Sequence, residues 1–255
     1  MLFRKEEVAT KEFKPRLTYA LISVCVLVFI FESAYSLIYG SGAMEELFNI
    51  YGFSLESIFA GLWWTPLTSI FLHANTEHLI LNIIALFFFG RAVEEGLGWR
   101  KCLLVFFASA ILGDIAISLT SFLGVMPAGI PTIGASAAVF GLMGTAMLVK
   151  PLEFVFYPYL IPVPLVLVAL LYTLFNIGEF IAVLVTGAQT EIAYAAHIGG
   201  LFAGMLFGFK EEGSKRGLRV LLLIIILLIL IPFLWFAFSY LELFNYIQLL
   251  TGMFG

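Results

Sequence analysis

Residues 131–150 read PTIGASAAVFGLMGTAMLVK, with no charge until the closing lysine. A helix over 136–149 is about 21 Å long, too short to cross a hydrocarbon core roughly 30 Å thick. Lys150 marks its end at one membrane boundary. The other end therefore opens into protein or water below the opposite boundary, since irregular backbone is not tolerated against lipid. Pro131 to Ala135 then forms a loop that dips into the protein. Ser136 occupies the first turn, where backbone N–H groups lack intrahelical partners and the helix dipole favours negative charge.

The rest of the chain supplies the full-length spans that such a helix needs. Of its 255 residues, 62% are hydrophobic and 12% charged, about half the roughly 25% charge of a soluble domain. With 27 Phe against 13 Lys plus Arg and a mean hydropathy of +1.07, there are too few charges to coat a soluble surface. The net charge of −4 and the lack of a basic patch exclude nucleic acid as a partner. The apolar runs are too long and uninterrupted for an outer-membrane barrel. Cys25 and Cys102 both lie in apolar stretches, giving no disulfide framework or CxxC metal site. The polar first 16 residues have no apolar region with a cleavage site, so no removable signal peptide is expected.

Seven spans are expected, near 17–39, 76–92, 100–122, 135–149, 161–185, 191–209 and 218–241, in an all-α polytopic membrane protein. Five basic residues precede the first span, three lie between the second and third, one follows the fourth, and four lie between the sixth and seventh. These are all 13 in the chain, and they fall on one face. By the positive-inside rule the N-terminus is cytoplasmic and the C-terminus outside. The division expected is a cytoplasmic segment 1–16, a six-helix core 17–209, and 210–255 as cytoplasmic linker, seventh transmembrane helix and outer tail. Residues 40–75 are too apolar for a free loop and are expected in the outer interface, with Trp63 and Trp64 at headgroup level. Four prolines in 151–164 make a broken inner connection.

Ionisable residues within a bilayer are costly and face a cavity or a partner. His78 stands 13 residues from Arg91, His197 stands 13 from Lys210, and Ser136 stands 14 from Lys150. All three lie about 20 Å above the inner boundary, hence about 10 Å below the outer one. His197, Gly200, Gly204 and Gly208 share a helix face, and this small-residue stripe admits close approach of another helix. Gly141 and Gly144 offer the matching small residues on the fourth span, so His197 is brought alongside Ser136. His78 and Asn82 are at i and i+4, also on one face.

The motifs His73-x4-His78-x3-Asn82, Gly134-x-Ser136 opening a short helix, and Ala196-His197-x2-Gly200-x3-Gly204 resemble the rhomboid family of intramembrane serine proteases. Gly90-Arg-Ala-Val-Glu94 also looks familial. The resemblance runs from about residue 17 to 209, with the seventh helix an addition. It implies a rhomboid six-helix protease core, with Ser136 as nucleophile and His197 as general base. His78, Asn82 and the backbone N–H of Ser136 would stabilise the oxyanion. It further implies transmembrane-protein substrates met within the membrane lipids, no cofactor or metal, and location in the cell membrane; oligomeric state is left open. Two positions depart from the pattern. Ala137 follows the serine where rhomboids often have Gly, and Thr65 follows Trp64 where many have Arg.

Other readings stand beside this one. Asp114 lies at a similar depth, but the family uses a dyad, which leaves it a packing or hydrogen-bonding role. His73 is expected to order the first loop. Glu32, Glu179 and Glu242 are expected to reach interfacial water, and Glu94 to act as an ion-pair or capping partner. A metalloprotease would need HExxH, which is absent, and His73-x3-Glu77-His78 is one residue too long for HxxEH. A transporter would show an inverted repeat, and the sequence has none. The main rival is a catalytically inactive rhomboid-like binding factor, but such relatives generally lack the serine or histidine that this chain retains.

Overall fold

A computed structural model describes residues 13–157, 161–187 and 193–213, with isolated positions between 218 and 238. Most of the expected seventh span, the N-terminal 12 residues, the outer tail and most of the 186–190 loop lie outside the described residues. Helix α1 (Arg16–Tyr39) is followed by α2 (Ser41–Tyr51), α3 (Leu55–Phe59), α4 (Thr65–Thr68) and a 3-10 turn at Ser69–Phe71. Then come α5 (Thr76–Ala85), a π-helical turn at Leu86–Gly90, α6 (Arg91–Leu97), α7 (Trp99–Phe122) and α8 (Ser136–Val149). Strands β1 (Phe154–Tyr157) and β2 (Ile161–Pro164) precede α9 (Leu165–Thr186) and α10 (Tyr194–Glu212).

Four helical stretches are long and apolar enough to cross a bilayer: α1, Thr76–Leu97, α7 and α9. Helix α8 has only 14 residues, and α10, at 19, carries His197 and a glycine face that dilute its apolar character. The protein is thus a helical multi-pass membrane protein with four candidate spans among the described residues, and α8 and α10 do not read as spans by length and composition. Among the described residues, the all-helical architecture is interrupted only by a short hairpin at 151–164, the stretch expected as a broken inner connection. Its segments 154–157 and 161–164 pair as an antiparallel hairpin, with Phe154 opposite Pro164. The extended backbone that proline imposes on itself and on the residue before it suits a strand better than a helix. The fifth span accordingly starts at Leu165 rather than 161.

Helix α8 is the axis of the bundle. Every residue from Ala137 to Val149 is buried, as expected of a helix that is apolar all round. Helix α10 lies against it through glycines. A Cβ on Gly200 would overlap the Ala137 carbonyl, and one on Gly144 would lie 2.6 Å from the Leu201 carbonyl oxygen. Buried Phe106, Leu86 and Leu170 from neighbouring helical segments fill the remaining faces.

Two carboxylates fix α1. Glu94, on α6, accepts hydrogen bonds from Leu17 N (2.9 Å), Thr18 N (2.8 Å) and Thr18 Oγ1 (2.7 Å). These satisfy orphan donors at the helix start, and the capping role expected for Glu94 is what the structure has. Glu32 does not reach interfacial water. It is 1% exposed and accepts from His73 N at 3.2 and 3.3 Å, because the 40–75 segment folds down over that side of α1.

Candidate active site

The 40–75 segment builds the floor beneath the serine loop. Ser54 and Ser57 form a reciprocal capping box at α3. The Ser57 hydroxyl also meets Thr65 Oγ1 at 3.0 Å. Thr65, fully buried, therefore joins a hydroxyl network at the position where the family often has arginine. Trp64 Nε1 donates to Ile50 O at 2.9 Å. From this frame Phe53 pairs with Thr132 through N–H···O bonds of 2.9 and 2.6 Å, and Ser69 O accepts from Gly134 N at 2.8 Å. The loop that dips into the protein is thereby pinned at both ends. Gly134 has φ +112°, and a Cβ there would meet the His78 ring at 2.7 Å, so only glycine lets the loop lie on that imidazole.

Ser136 is the first residue of α8, and its Oγ lies 2.8 Å from His197 Nε2. The His197 ring stacks on Phe140 at 4.5 Å with an 11° interplanar angle. Phe140 in turn stacks on Tyr172 of α9 at 5.0 Å. His197 is buried, while Ser136 is half-buried and borders a cavity of about 450 Å³ that also receives His78, Asn82 and Tyr172. All four residues singled out in the sequence therefore face one cavity.

The details are less uniform. Asn82 Nδ2 donates to His78 O, one turn back, at 2.8 Å. An amide has two N–H donors, so this bond leaves one for the cavity. His78 lies in the first turn of α5, where its N–H donates to the Asn75 side chain at 2.8 Å. Its ring meets that of His73 edge-on at 5.1 Å. His73 is fully buried, with Nδ1 3.1 Å from Phe71 O. Burial, with His78 beside it, holds the His73 imidazole down to about 4. The methyl of Ala137 faces Gly113 of α7, where a Cβ would come within 2.7 Å of it. The departure from Ser-Gly is thus absorbed by α7 rather than by the loop.

Asp114 does not approach the histidine as a third member. It does not line the cavity, and its Oδ2 is buried without a hydrogen-bond partner among the described residues. Sequence reasoning missed the residue that occupies this place. His197 Nδ1 lies 2.7 Å from Oδ1 of Asn176, a buried residue of α9.

A family model described as the rhomboid domain matches residues 60–213. The chain belongs to the rhomboid family. Its similarity to the rhomboid protease GluP of Bacillus subtilis (strain 168) is 30% identity over 240 residues, covering 92% of this chain and 43% of that protein. The rhomboid protease AarA of Providencia stuartii is 29% identical over 182 residues, 68% of this chain and 63% of its own length. A putative rhomboid protease of B. subtilis, YdcA, is 40% identical over 84 residues, 33% of this chain and 40% of that one. This rhomboid-family chain thus spans less than two thirds of each of these curated relatives. Members of the family are usually intramembrane serine proteases, with membrane proteins as substrates.

Proposed function

We propose that this rhomboid-family protein is an intramembrane serine endopeptidase that cleaves peptide bonds in or near transmembrane segments. The observation that carries the reading is the 2.8 Å contact between Ser136 Oγ and His197 Nε2 at the mouth of a cavity. Serine attacks a carbonyl only as a base removes its proton. A neutral imidazole 2.8 Å away is within reach to take that proton and later return it to the leaving amine. The negative oxygen of the tetrahedral intermediate then needs donors already in place. The Ser136 N–H at the helix start is free of intrahelical partners, and His78 and the second Asn82 N–H border the same cavity. In a site of low dielectric such donors are worth far more than in water.

The acyl-enzyme is then hydrolysed by water entering the cavity, and Ser136 is regenerated. A substrate helix has to unwind locally to offer a carbonyl, which favours transmembrane segments with small or helix-weakening residues near the outer boundary. In this proposal residues 17–209 form the protease core, flanked by 1–16 and 210–255. The one-sided distribution of Lys and Arg supports a cytoplasmic N-terminus. Similarity to a Bacillus protein over 92% of the chain supports placement in a plasma membrane.

The test is labelling of the purified protein in detergent with a fluorophosphonate, with the modified peptide read by mass spectrometry, alongside cleavage of a model transmembrane substrate. Labelling at Ser136 and cleavage are expected in wild type, and both disappear in Ser136→Ala and His197→Ala. A folded wild type that neither reacts nor cleaves overturns the protease reading in favour of an inactive binding factor.

A further inference from the structure

Helix α9 reads LVLVALLYTLFNIGEFIAVLVT, and Asn176 is the one carboxamide in it. Asn176 is only 2% exposed. A buried amide in a membrane helix is costly unless its donors and acceptor are used, and both ends of this one are. Nδ2 donates to Tyr172 O, one turn back, at 3.0 Å, while Oδ1 lies 2.7 Å from His197 Nδ1. The first bond fixes the direction of the amide, because reversing it would set Oδ1 against a carbonyl oxygen. Asn176 therefore presents an acceptor to His197, and the ring nitrogen facing it is the one that carries the proton.

A neutral imidazole has two tautomers, and only one is useful here. With the proton on Nδ1, the Nε2 lone pair faces Ser136 Oγ and accepts its hydrogen. With the proton on Nε2, the ring presents N–H to the serine and is no base. We propose that Asn176 is a positioning residue that holds His197 in the Nδ1–H tautomer and in the plane that aims Nε2 at Ser136. This rests on the reading of Ser136 and His197 as the reacting pair.

The placement explains two other features. An amide satisfies Nδ1–H without burying a second charge in a membrane interior, where an unpaired carboxylate is expensive. The same orienting role falls to asparagine in the Cys-His-Asn arrangement of papain-like proteases. It also removes the need for Asp114, whose carboxylate does not line the cavity. Phe140 fixes the ring face by stacking, but a stacked ring can still flip by a half-turn or change tautomer. Asn176 sets the remaining choice.

The chain has three histidines, so 15N-histidine spectra of the full protein in detergent resolve His197 by difference with His197→Gln. In wild type its Nδ1 is expected as the protonated nitrogen. Asn176→Leu, close in volume, is expected to lose that single tautomer. It should also slow fluorophosphonate labelling and kcat by about 10- to 100-fold, below the roughly 10²–10⁴ that general-base catalysis supplies, with KM unchanged. Asn176→Asp keeps the acceptor and is expected to keep the Nδ1–H tautomer and most of the labelling. If Asn176→Leu does not fold, Asn176→Ala is read in its place. A leucine or alanine variant with the wild-type tautomer, or one that labels at the wild-type rate, overturns the proposal. Loss of reactivity already in wild type would instead count against the protease reading, and the spectra would still report on Asn176.

Discussion

Gly204 of α10 meets Gly141 of α8 backbone to backbone, so closely that a Cβ on Gly204 would overlap the Gly141 carbonyl. Thr145 Oγ1 adds a hydrogen bond to Gly204 O at 2.9 Å across the same contact. Gly204 is two turns from His197, so forcing the helices apart here also displaces the imidazole. Gly204→Val is expected to cost about 1–3 kcal/mol or more through overpacking and to abolish Ser136 labelling. Gly178→Ala on α9, where an added methyl meets nothing within 4 Å, should leave stability unchanged or raise it by up to about 1 kcal/mol. Thermal melts in detergent compare the two. Equal melting temperatures would mean that the glycine contact does not hold the helices.

His78 and Asn82 are expected to act on the transition state rather than on substrate binding. Asn82→Ala should lower kcat and kcat/KM together, by roughly 10²–10³ as for a lost oxyanion donor. His78→Ala should do the same. Steady-state kinetics on a model transmembrane substrate read this directly, and a rise in KM alone would assign these residues to binding instead.

Glu94 is expected to be a stability residue with no part in the reaction. Glu94→Ala strips three hydrogen bonds from the start of α1, leaving donors that no longer have an intrahelical or side-chain acceptor. The loss is on the order of 3 kcal/mol, and Glu94→Gln, which keeps one acceptor oxygen, should lose less. Denaturation midpoints order the variants. An alanine variant as stable as wild type would refute the capping role.

Stability should fall on the acid side through His73. The ordinary imidazole value is 6.5, and in the folded protein it is held down to about 4. Between these values the unfolded chain binds the proton and the folded one does not. The stabilisation is therefore complete above about 6.5 and is lost as pH falls through 4, a change on the order of 3 kcal/mol. The charged and titratable groups facing His73 are Glu32, across its backbone N–H, and His78, ring to ring. Melts of wild type and His73→Gln at pH 4.5 and 7 test this. The variant should show the smaller difference between the two, and equal differences would assign the acid sensitivity elsewhere.

Ser136 and His197 were legible because each can be counted from a basic residue at its helix's inner end. Lys150 and Lys210 serve as depth markers, and glycine spacing supplies the pairing of the two helices. Asn176 was not legible this way. Helix α9 has no basic residue in its last or first turn, so nothing in the sequence sets its depth or rotation. The signal that existed was a single carboxamide in an apolar run, which a rule flagging polar groups within membranes would catch. Glu32 was misread for a related reason. Its burial depends on the 40–75 segment folding back over α1, a tertiary event without a periodic signature. The strand pairing at 154–164 was hidden by prolines that signal only an interruption.

Helix α8, at 14 residues, also bears on how the protein is made. A segment that short cannot hold a place across the bilayer by itself, and its sides are everywhere covered by other helices. During synthesis it can reach its final position only as its neighbours arrive. Ser136 and His197 are 61 positions apart in the chain, and α10, which brings the histidine, emerges after α8 and α9. A growing chain that has not yet made α10 therefore cannot hold Ser136 and His197 together. The pair proposed to react is thus assembled only once α10 has packed against this short helix.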